Sequence, residues 1–535
     1  MKTNMLYKIS YKVMLFLSVS LLLTSCEGFL DEDPGTLIDS DYIYTTEDGL
    51  KSGVVSLYKF NRDRYDTRVQ DFMGAVLLQS RSDLAFSRTG YTGLMGRYQR
   101  GISPIDLGTN FTSRLFWKHF YNITNKATSI INAAENLEGL NEDSKKQIIA
   151  EAKFFRANSY FFLYRMYNNI YVSTETITVD NAFDVVETSS TKEEIFAILN
   201  SDLDYAIENL DWDVTFGRVS KGTAKHVKAK VAMWQGDWLE AKNQALDVIE
   251  NPMSPHSLVS STADVFKGNK NNSEQLFVVQ SQDDVLGGGN TTMMNANFVT
   301  QYFQISGIES NVEQGGRGFS RVLPNNYLLG LLADDPNDTR DDDTYFRLEY
   351  FYTSGPNAGQ KIEIYKPISP ANPNGVQYQR YYQRLHPSCI KFAEEDDNAE
   401  SYLQRSNIMV YRLAETYLIA AEAIMRSSGD PLPYINAIRT RAKAAPVTTV
   451  NEQVILDERA RELAFEGQRW FTLKRMGQTV INRQITSFAG DGDFFPANRG
   501  AKDPRTNWKD HYINWPIFQE DLDLLGPNYP QNPGY

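Results

Sequence analysis

Three glutamates, Glu458, Glu462 and Glu466, recur at i, i+4 and i+8 in "ERARELAFEG", placing three carboxylates on one stripe of a helix. A pair of carboxylates is the machinery of glycoside cleavage, but it is defined by a spatial separation of roughly 5 to 9.5 Å that no sequence pattern encodes. Arg461 follows Glu458 by three residues and Arg469 follows Glu466 by three, so helical ion pairing explains the stripe better than catalysis does. Other reactive types are scattered. His119, His226, His256, His386 and His511 are mutually remote, with no HExxH and no paired cysteines. There is no G-x-S-x-G elbow, and Gly287-Gly288-Gly289 lacks the lysine of a phosphate-binding loop, so flexibility is its reading. The run "DDPNDTRDDD" (334–343) offers oxygens to calcium, but its glycine and distal glutamate are wrong for an EF-hand. It reads as a solvated acidic turn. No catalytic residue, metal ligand or cofactor is assigned.

Binding without chemistry needs different residues. A sugar ring has one face of C–H groups and a rim of hydroxyls, which suit aromatic planes and Asp, Asn or Arg side chains respectively. The chain holds 30 Tyr and 29 Phe against 7 Trp. The tryptophans, at 117, 212, 234, 238, 470, 508 and 515, all fall outside the two loop-rich sections, 81–104 and 255–400. A platform there must therefore use Tyr and Phe. The candidate ligand-binding residues are Arg81, Asp83, Phe86, Tyr91 and Tyr98 in the first section, and Asn290, Phe298, Tyr302, Phe319 and Arg321 in the second. Such a platform binds weakly, at about 4 to 8 kcal/mol.

The elements that must position these loops are helices. Phe116, Phe120, Ile123, Ala127, Ile130, Ile131, Ala134 and Leu137 repeat at steps of three and four, marking one buried helical face. After Gly139, a candidate C-cap, Asp143 or Ser144 is the candidate N-cap of a second helix through Ile148, Ala152, Phe155, Phe162, Leu163 and Met166. Residues 191–210 read as a helix and 222–252 as a hairpin turning at Gly236-Asp237-Trp238. With Ala241, Ala245 and Pro252 this hairpin resembles half of a tetratricopeptide repeat, although the repeat prefers a bulkier residue than Ala245. Further helices are expected over 407–426, 431–442 and 454–477. Between 255 and 400, "QLFVVQ" (275–280) and "KIEIYKP" (361–367) read as short strands.

Lys2, Lys8 and Lys12 precede the apolar run Val13 to Leu23, the pattern of an export signal. Eleven residues at about 1.5 Å each fall short of roughly 30 Å of hydrocarbon. The ending Leu23-Thr24-Ser25-Cys26 resembles the bacterial lipobox, in which the cysteine is lipidated and becomes the first mature residue; a plain secretory signal is the alternative. Cys389 is then the remaining thiol. Removing residues 1–25 takes away three lysines and no acids, moving the formal charge from −13 to −16. An acidic surface argues against nucleic acid, whose binding depends on Lys and Arg neutralising phosphate.

Several segments together resemble the SusD/RagB family of nutrient-binding lipoproteins of Bacteroidetes: Cys26-Glu27-Gly28-Phe29-Leu30-Asp31, "EAKFFRANSYFFLYRMY" (151–167), "VYRLAETYLIAAEA" with "INAIRTRA", "ERARELAFEGQRWFTLKR" (458–475) and the closing "QNPGY". Thr472 departs from the family's usual Asp, which questions a local salt bridge. The resemblance implies a mostly α fold, in which tetratricopeptide-like helical hairpins scaffold long loops and a few short strands. It divides the chain into a lipoprotein signal peptide (1–25), a lipidated tether (26–40), an N-terminal helical scaffold (41–254), a loop-rich ligand-facing section (255–400) and C-terminal helices packing back on the scaffold (401–535). It also implies an outer-membrane protein, lipid-anchored at Cys26 and facing outward. Such a protein passes oligosaccharides, or in some branches peptides, to a SusC-like TonB-dependent barrel and performs no chemistry. An exported glycoside hydrolase and a pure protein-binding scaffold are the other readings.

Overall fold

The computed structural model describes residues 40–65, 78–88, 111–178, 180–182, 184–266, 271–280, 292–341, 344–363, 380–393, 398–404, 407–490 and 503–535. Its scaffold is a succession of antiparallel helical hairpins. Helix α1 (Glu47–Asp63) starts at Thr46, whose hydroxyl accepts from Gly49 N at 3.0 Å, and packs on α2 (Phe111–Asn136) and α3 (Glu142–Tyr167). The apolar face expected of α2 is buried from Phe116 to Ala134, with Leu137 half-buried, and Phe120 stacks on Phe162 of α3 at 4.1 Å. The turn holds Gly139 at φ 75°, but the cap of α3 is Asn141 rather than Asp143 or Ser144. Those two residues instead donate their backbone N–H groups to Asn141 Oδ1, at 3.0 and 3.1 Å.

Helix α4 (Lys192–Asn209) opens on a reciprocal Thr191–Glu194 capping box. Helix α5 (Lys221–Gln235) ends at Gly236, whose φ of 81° only glycine adopts without strain, and Asp237 caps α6 (Trp238–Glu250). Ala241 and Ala245 are buried in a layer of small side chains shared with Ala229 and Ala232 of α5 and with Ala420 and Ala423 of α7 (Leu413–Arg426). The missing bulk at position 245 is what lets α6 lie close to α7.

Two C-terminal expectations change. Residues 407–426 are not one helix: Ile408–Arg412 form a strand, and α7 begins only at Leu413. The run 454–477 is broken into α9 (Glu452–Leu463) and α10 (Arg469–Met476) by the positive φ of Phe465 and Gly467, while α8 (Leu432–Arg441) forms as expected. Helix α11 (Gln478–Phe488) follows.

Among the described residues three two-stranded ladders pin distant segments together. Strand β1 (Ala85–Ser87) pairs with β3 (Val322–Pro324), β2 (Gln275–Val279) with β6 (Ile408–Arg412), and β4 (Phe346–Arg347) with β5 (Ser388–Cys389), all antiparallel. "QLFVVQ" is thus a strand. "KIEIYKP" is not one over its described part, where Lys361 makes a single isolated bridge to Phe351. No helix among the described residues is long and apolar enough to cross a membrane.

Candidate ligand-binding surface

The carboxylate stripe is the centre of a buried ionic network. Glu462, with no exposed surface, receives Arg412 Nη1 at 2.6 Å, Arg340 Nη1 at 3.2 Å, Tyr345 OH at 3.0 Å and a bond from Arg441. Glu458 meets Arg340 at 2.7 Å, Arg439 at 2.6 Å and Arg461 at 3.3 Å, the last being the pair expected from spacing. Glu466 lies beyond the end of α9 and holds Arg412 and Lys391, each at 2.7 Å. Arg469 does not pair with Glu466. It grips Asp83 through two bonds, at 2.8 and 2.6 Å. Burial pushes the Glu462 carboxyl up, but Arg441, Arg412 and Arg340 together outweigh it and hold the group well below the usual carboxylate range. A general acid needs the opposite shift, so Glu462 is an ionised strut.

The acidic run 334–343 is only partly a solvated turn. Asp338 and Arg340 are buried and bonded to each other at 2.6 Å, because Arg340 reaches in to Glu458 and Glu462. Among the described residues no three His, Cys, Asp or Glu side chains are grouped to hold a metal. The Cys389 thiol is buried, and burial pushes its pKa up to about 12.

Of the candidate ligand-binding residues, Tyr91, Tyr98 and Asn290 lie outside the described residues, as does Cys26. Five others are internal. Asp83 is the buried counter-charge of Arg469, and Arg81 lies over Trp470 at 4.3 Å while bonding the Tyr512 carbonyl. Phe86 packs edge-on to Tyr382 and His386, and Phe298 meets Phe465 at 4.9 Å. Tyr302 stacks on Tyr350 at 5.2 Å and donates to Asn311 O at 3.0 Å. With exposure of 3% or less, none of the five presents a face to a ligand in this conformation. They are corrected to core residues.

Phe319 and Arg321 are brought together at the surface. The segment Gly318–Arg321 lies across the end of the short helix Met294–Phe298, where Phe319 N donates to Ala296 O at 2.6 Å, Ser320 N to Val299 O at 2.8 Å and Arg321 N to Asn297 O at 3.0 Å. These bonds satisfy carbonyls that the helix end leaves open. A Cβ at Gly318 would lie 1.9 Å from Val299 O, so this approach requires glycine. The half-buried Phe319 then stacks on Tyr402, with centroids 4.3 Å apart and planes 9° from parallel. Phe303 adds an edge to Tyr402 at 6.5 Å.

Guanidinium groups border these rings. Arg321 lies over Phe319 at 4.4 Å, and Arg317 over Phe303 at 5.0 Å and Tyr402 at 5.8 Å. Arg321 is aimed by Asn297 Oδ1 at 3.0 Å and Arg317 by Glu400 at 2.5 Å. Arg88 donates to Ser320 O at 2.6 Å, and burial followed by the nearby Arg321 charge lowers its pKa. Phe319 is thereby covered on both faces, by Tyr402 and by Arg321, and what the cluster offers a hydroxylated ring is its outer ring edges and the guanidinium donors beside them. Phe303, Arg317 and Tyr402 were not among the candidates. Phe303 is the neighbour of one, and Tyr402 lies just past residue 400, where the loop-rich section was ended.

The described architecture is thus a scaffold of helical hairpins whose loops carry a small aromatic surface edged with arginine. Residues 260–535 match the family model described as "SusD family", and residues 29–232 match one described as "Starch-binding associating with outer membrane". The chain belongs to the SusD family. It is 27% identical over 531 residues to a SusD-like protein of Formosa agariphila, covering 94% of each chain. It is 37% identical over 131 residues to the starch-binding protein SusD of Bacteroides thetaiotaomicron, covering 24% of this chain and 22% of that one. Among solved structures, a laminarin-binding SusD-like protein superposes with a TM-score of 0.71 at 21% identity, covering 92% of this chain and all of that one. The mostly helical fold expected from the sequence is the family's fold.

Proposed function

We propose that this protein is a glycan-binding lipoprotein of the outer membrane, anchored through Cys26 and facing the exterior. It captures oligosaccharides and delivers them to a SusC-like TonB-dependent transporter without cleaving them. The observation that carries the binding role is the half-buried, stacked Phe319–Tyr402 pair at the surface, with the Arg317 and Arg321 guanidinium groups over its outer faces. In a family whose relatives include starch-binding and laminarin-binding proteins, that chemistry supports a saccharide over a charged or wholly apolar ligand. Tyr91, Tyr98 and Asn290 remain candidate contacts. The anchoring role is supported by the lipobox-like Leu23–Cys26 and by the outer-membrane association in the matched family description.

The test is a calorimetric screen of the mature protein against laminarin, starch and other soluble polysaccharides, repeated with Phe319→Ala and Tyr402→Ala. Each variant should lose about tenfold in affinity, the worth of one ring contact of about 1.4 kcal/mol. No new reducing ends should appear. Unchanged affinity in both variants refutes the platform, and release of reducing sugar refutes the non-catalytic reading. Mass spectrometry of the membrane-extracted protein should find acyl chains on Cys26, and an unmodified N-terminus refutes the anchor.

A further inference from the structure

Six of the seven tryptophans have an aromatic or cationic partner: Trp117 against Tyr121 and Tyr167, Trp234 against Phe161, Trp238 beneath Arg426, Trp470 against Trp508, and Trp515 against Phe116. Trp212 is the exception. It lies half-buried in the α4–α5 connection, its indole edge over Gly222, where a Cβ would meet Cζ3 at 3.4 Å, and among the described residues no ring stacks on it and no guanidinium covers it. It forms one wall of a cavity of about 220 Å³.

The cavity is firmly built. Below Trp212 the connection turns at Gly217, with φ 87°, and Arg218 is tied to the buried Glu151 at 2.6 Å. The connection then enters α5 through the Ser220–Thr223 capping box, and Thr223 Oγ1 donates to Leu276 O on β2 at 2.5 Å. The opposite wall is Pro255–His256 and Asn271–Ser273, fastened by Ser257 N to Ser273 O at 3.2 Å and by Asn272 Nδ2 to Val265 O at 3.0 Å. His256 Nδ1 lies 3.3 Å from Ser273 O, and its Nε2 is buried without a partner. Asp213 and Thr215, both exposed, complete the lining with oxygens.

We propose that this cavity is a second saccharide site, separate from the Phe319–Tyr402 surface, in which the part of the Trp212 indole that lines it takes the C–H face of a neutral pyranose unit. Asp213 and Thr215 meet the hydroxyl rim. A neutral ligand follows from the charges: the Arg218 cation is already matched by Glu151, while Asp213 brings a negative charge that repels sugar acids. The volume suits about one ring, so the site grips a chain end or a single unit of a longer glycan. The two sites share no residue. The proposal takes its ligand class from the proposed function, and its location from Trp212 alone.

The test is 19F NMR of the mature protein labelled with 5-fluorotryptophan. Seven tryptophans give seven resonances, and Trp212→Phe assigns the one of interest. Laminarihexaose and maltohexaose are titrated to about 10 mM, above the dissociation constants of weak sites. They are added to the wild type and to a Phe319→Ala/Tyr402→Ala double variant. The Trp212 resonance should move saturably with at least one sugar in both proteins. A Trp212 resonance that stays fixed with both sugars overturns the proposal, whether or not calorimetry detects binding elsewhere. A shift that vanishes in the double variant also overturns it, because the cavity would then only be reporting the platform. Platform failure looks different: calorimetric affinity unchanged in the double variant while the Trp212 shift persists.

Discussion

Glu462→Ala tests whether the ionic centre is a strut. The substitution leaves Arg340, Arg412 and Arg441 without their shared carboxylate in a site with no exposed surface. Each keeps another partner: Asp338 and Glu458 for Arg340, Glu466 and Glu274 for Arg412, and Glu274 for Arg441. The cost is therefore that of breaking a buried pair, about 3 to 5 kcal/mol, and not a multiple of it. A chain of roughly 500 residues unfolds with an entropy near 1 kcal/mol per kelvin, so Tm falls by about 3 to 5 °C. Scanning calorimetry near neutral pH reads this directly. Glu462→Gln separates charge from packing, because the amide keeps the shape and an acceptor for Tyr345 OH. It should show at least half of the fall. The carboxyl's pKa is held below its unfolded value, so its contribution is present above an unfolded pKa near 4.5 and is lost as pH falls toward the folded one. The gap between wild type and Glu462→Ala must then narrow in acid. A Glu462→Gln protein within about 1 °C of wild type, or a gap that widens below about pH 4, refutes the electrostatic account.

His386 donates from Nε2 to Pro324 O at 2.7 Å and has its Nδ1 buried without a partner, and burial holds its pKa at about 4. Its stabilising contribution is complete above the unfolded pKa of about 6.5 and falls with pH, by about 2 kcal/mol at pH 5. Between about pH 7 and 5 the Tm of His386→Gln should drop about 2 °C less than that of wild type, and equal drops refute this. Gly318→Ala drives a Cβ into Val299 O and must displace Phe319 from Tyr402, lowering saccharide affinity about tenfold with the circular dichroism unchanged; undiminished binding refutes the geometry. At the departure from the family pattern, Arg459 Nε meets only the Thr472 hydroxyl at 3.2 Å, and its Nη1 has no partner. Thr472→Asp should therefore raise Tm by about 1 to 2 °C, from a charged hydrogen bond worth about 1.5 to 3 kcal/mol less the cost of burying the carboxylate; a lower Tm refutes it.

Which parts of this architecture can be read from the sequence follows the range of the interactions that decide them. The hairpins α2–α3 and α5–α6 are legible because their apolar repeat and their turn glycines, Gly139 and Gly236, act within a few residues, although the cap of α3 falls on Asn141 rather than on Asp143 or Ser144. Strand β6 was not: Ile408–Arg412 is apolar enough to extend the helix after it, and only β2, far upstream, makes it a strand. Asp83 reads from the sequence as a ligand-binding candidate because its partner Arg469 lies 386 residues away. The same long-range dependence governs the ligand surface. Tyr302 and Phe303 are adjacent on one short 3-10 turn, so packing one ring inward on Tyr350 turns the other toward Tyr402. Sequence supplies both rings and cannot rank them, because the choice is made by Tyr350 and by the carbonyl of Asn311 that takes the Tyr302 hydroxyl. Composition therefore tells that an aromatic surface is available, while the buried partner of each ring decides which aromatics form it. Trp212 obeys the same rule in reverse: it rests on Gly222, and no ring or guanidinium in the described fold stacks on the part that lines the cavity.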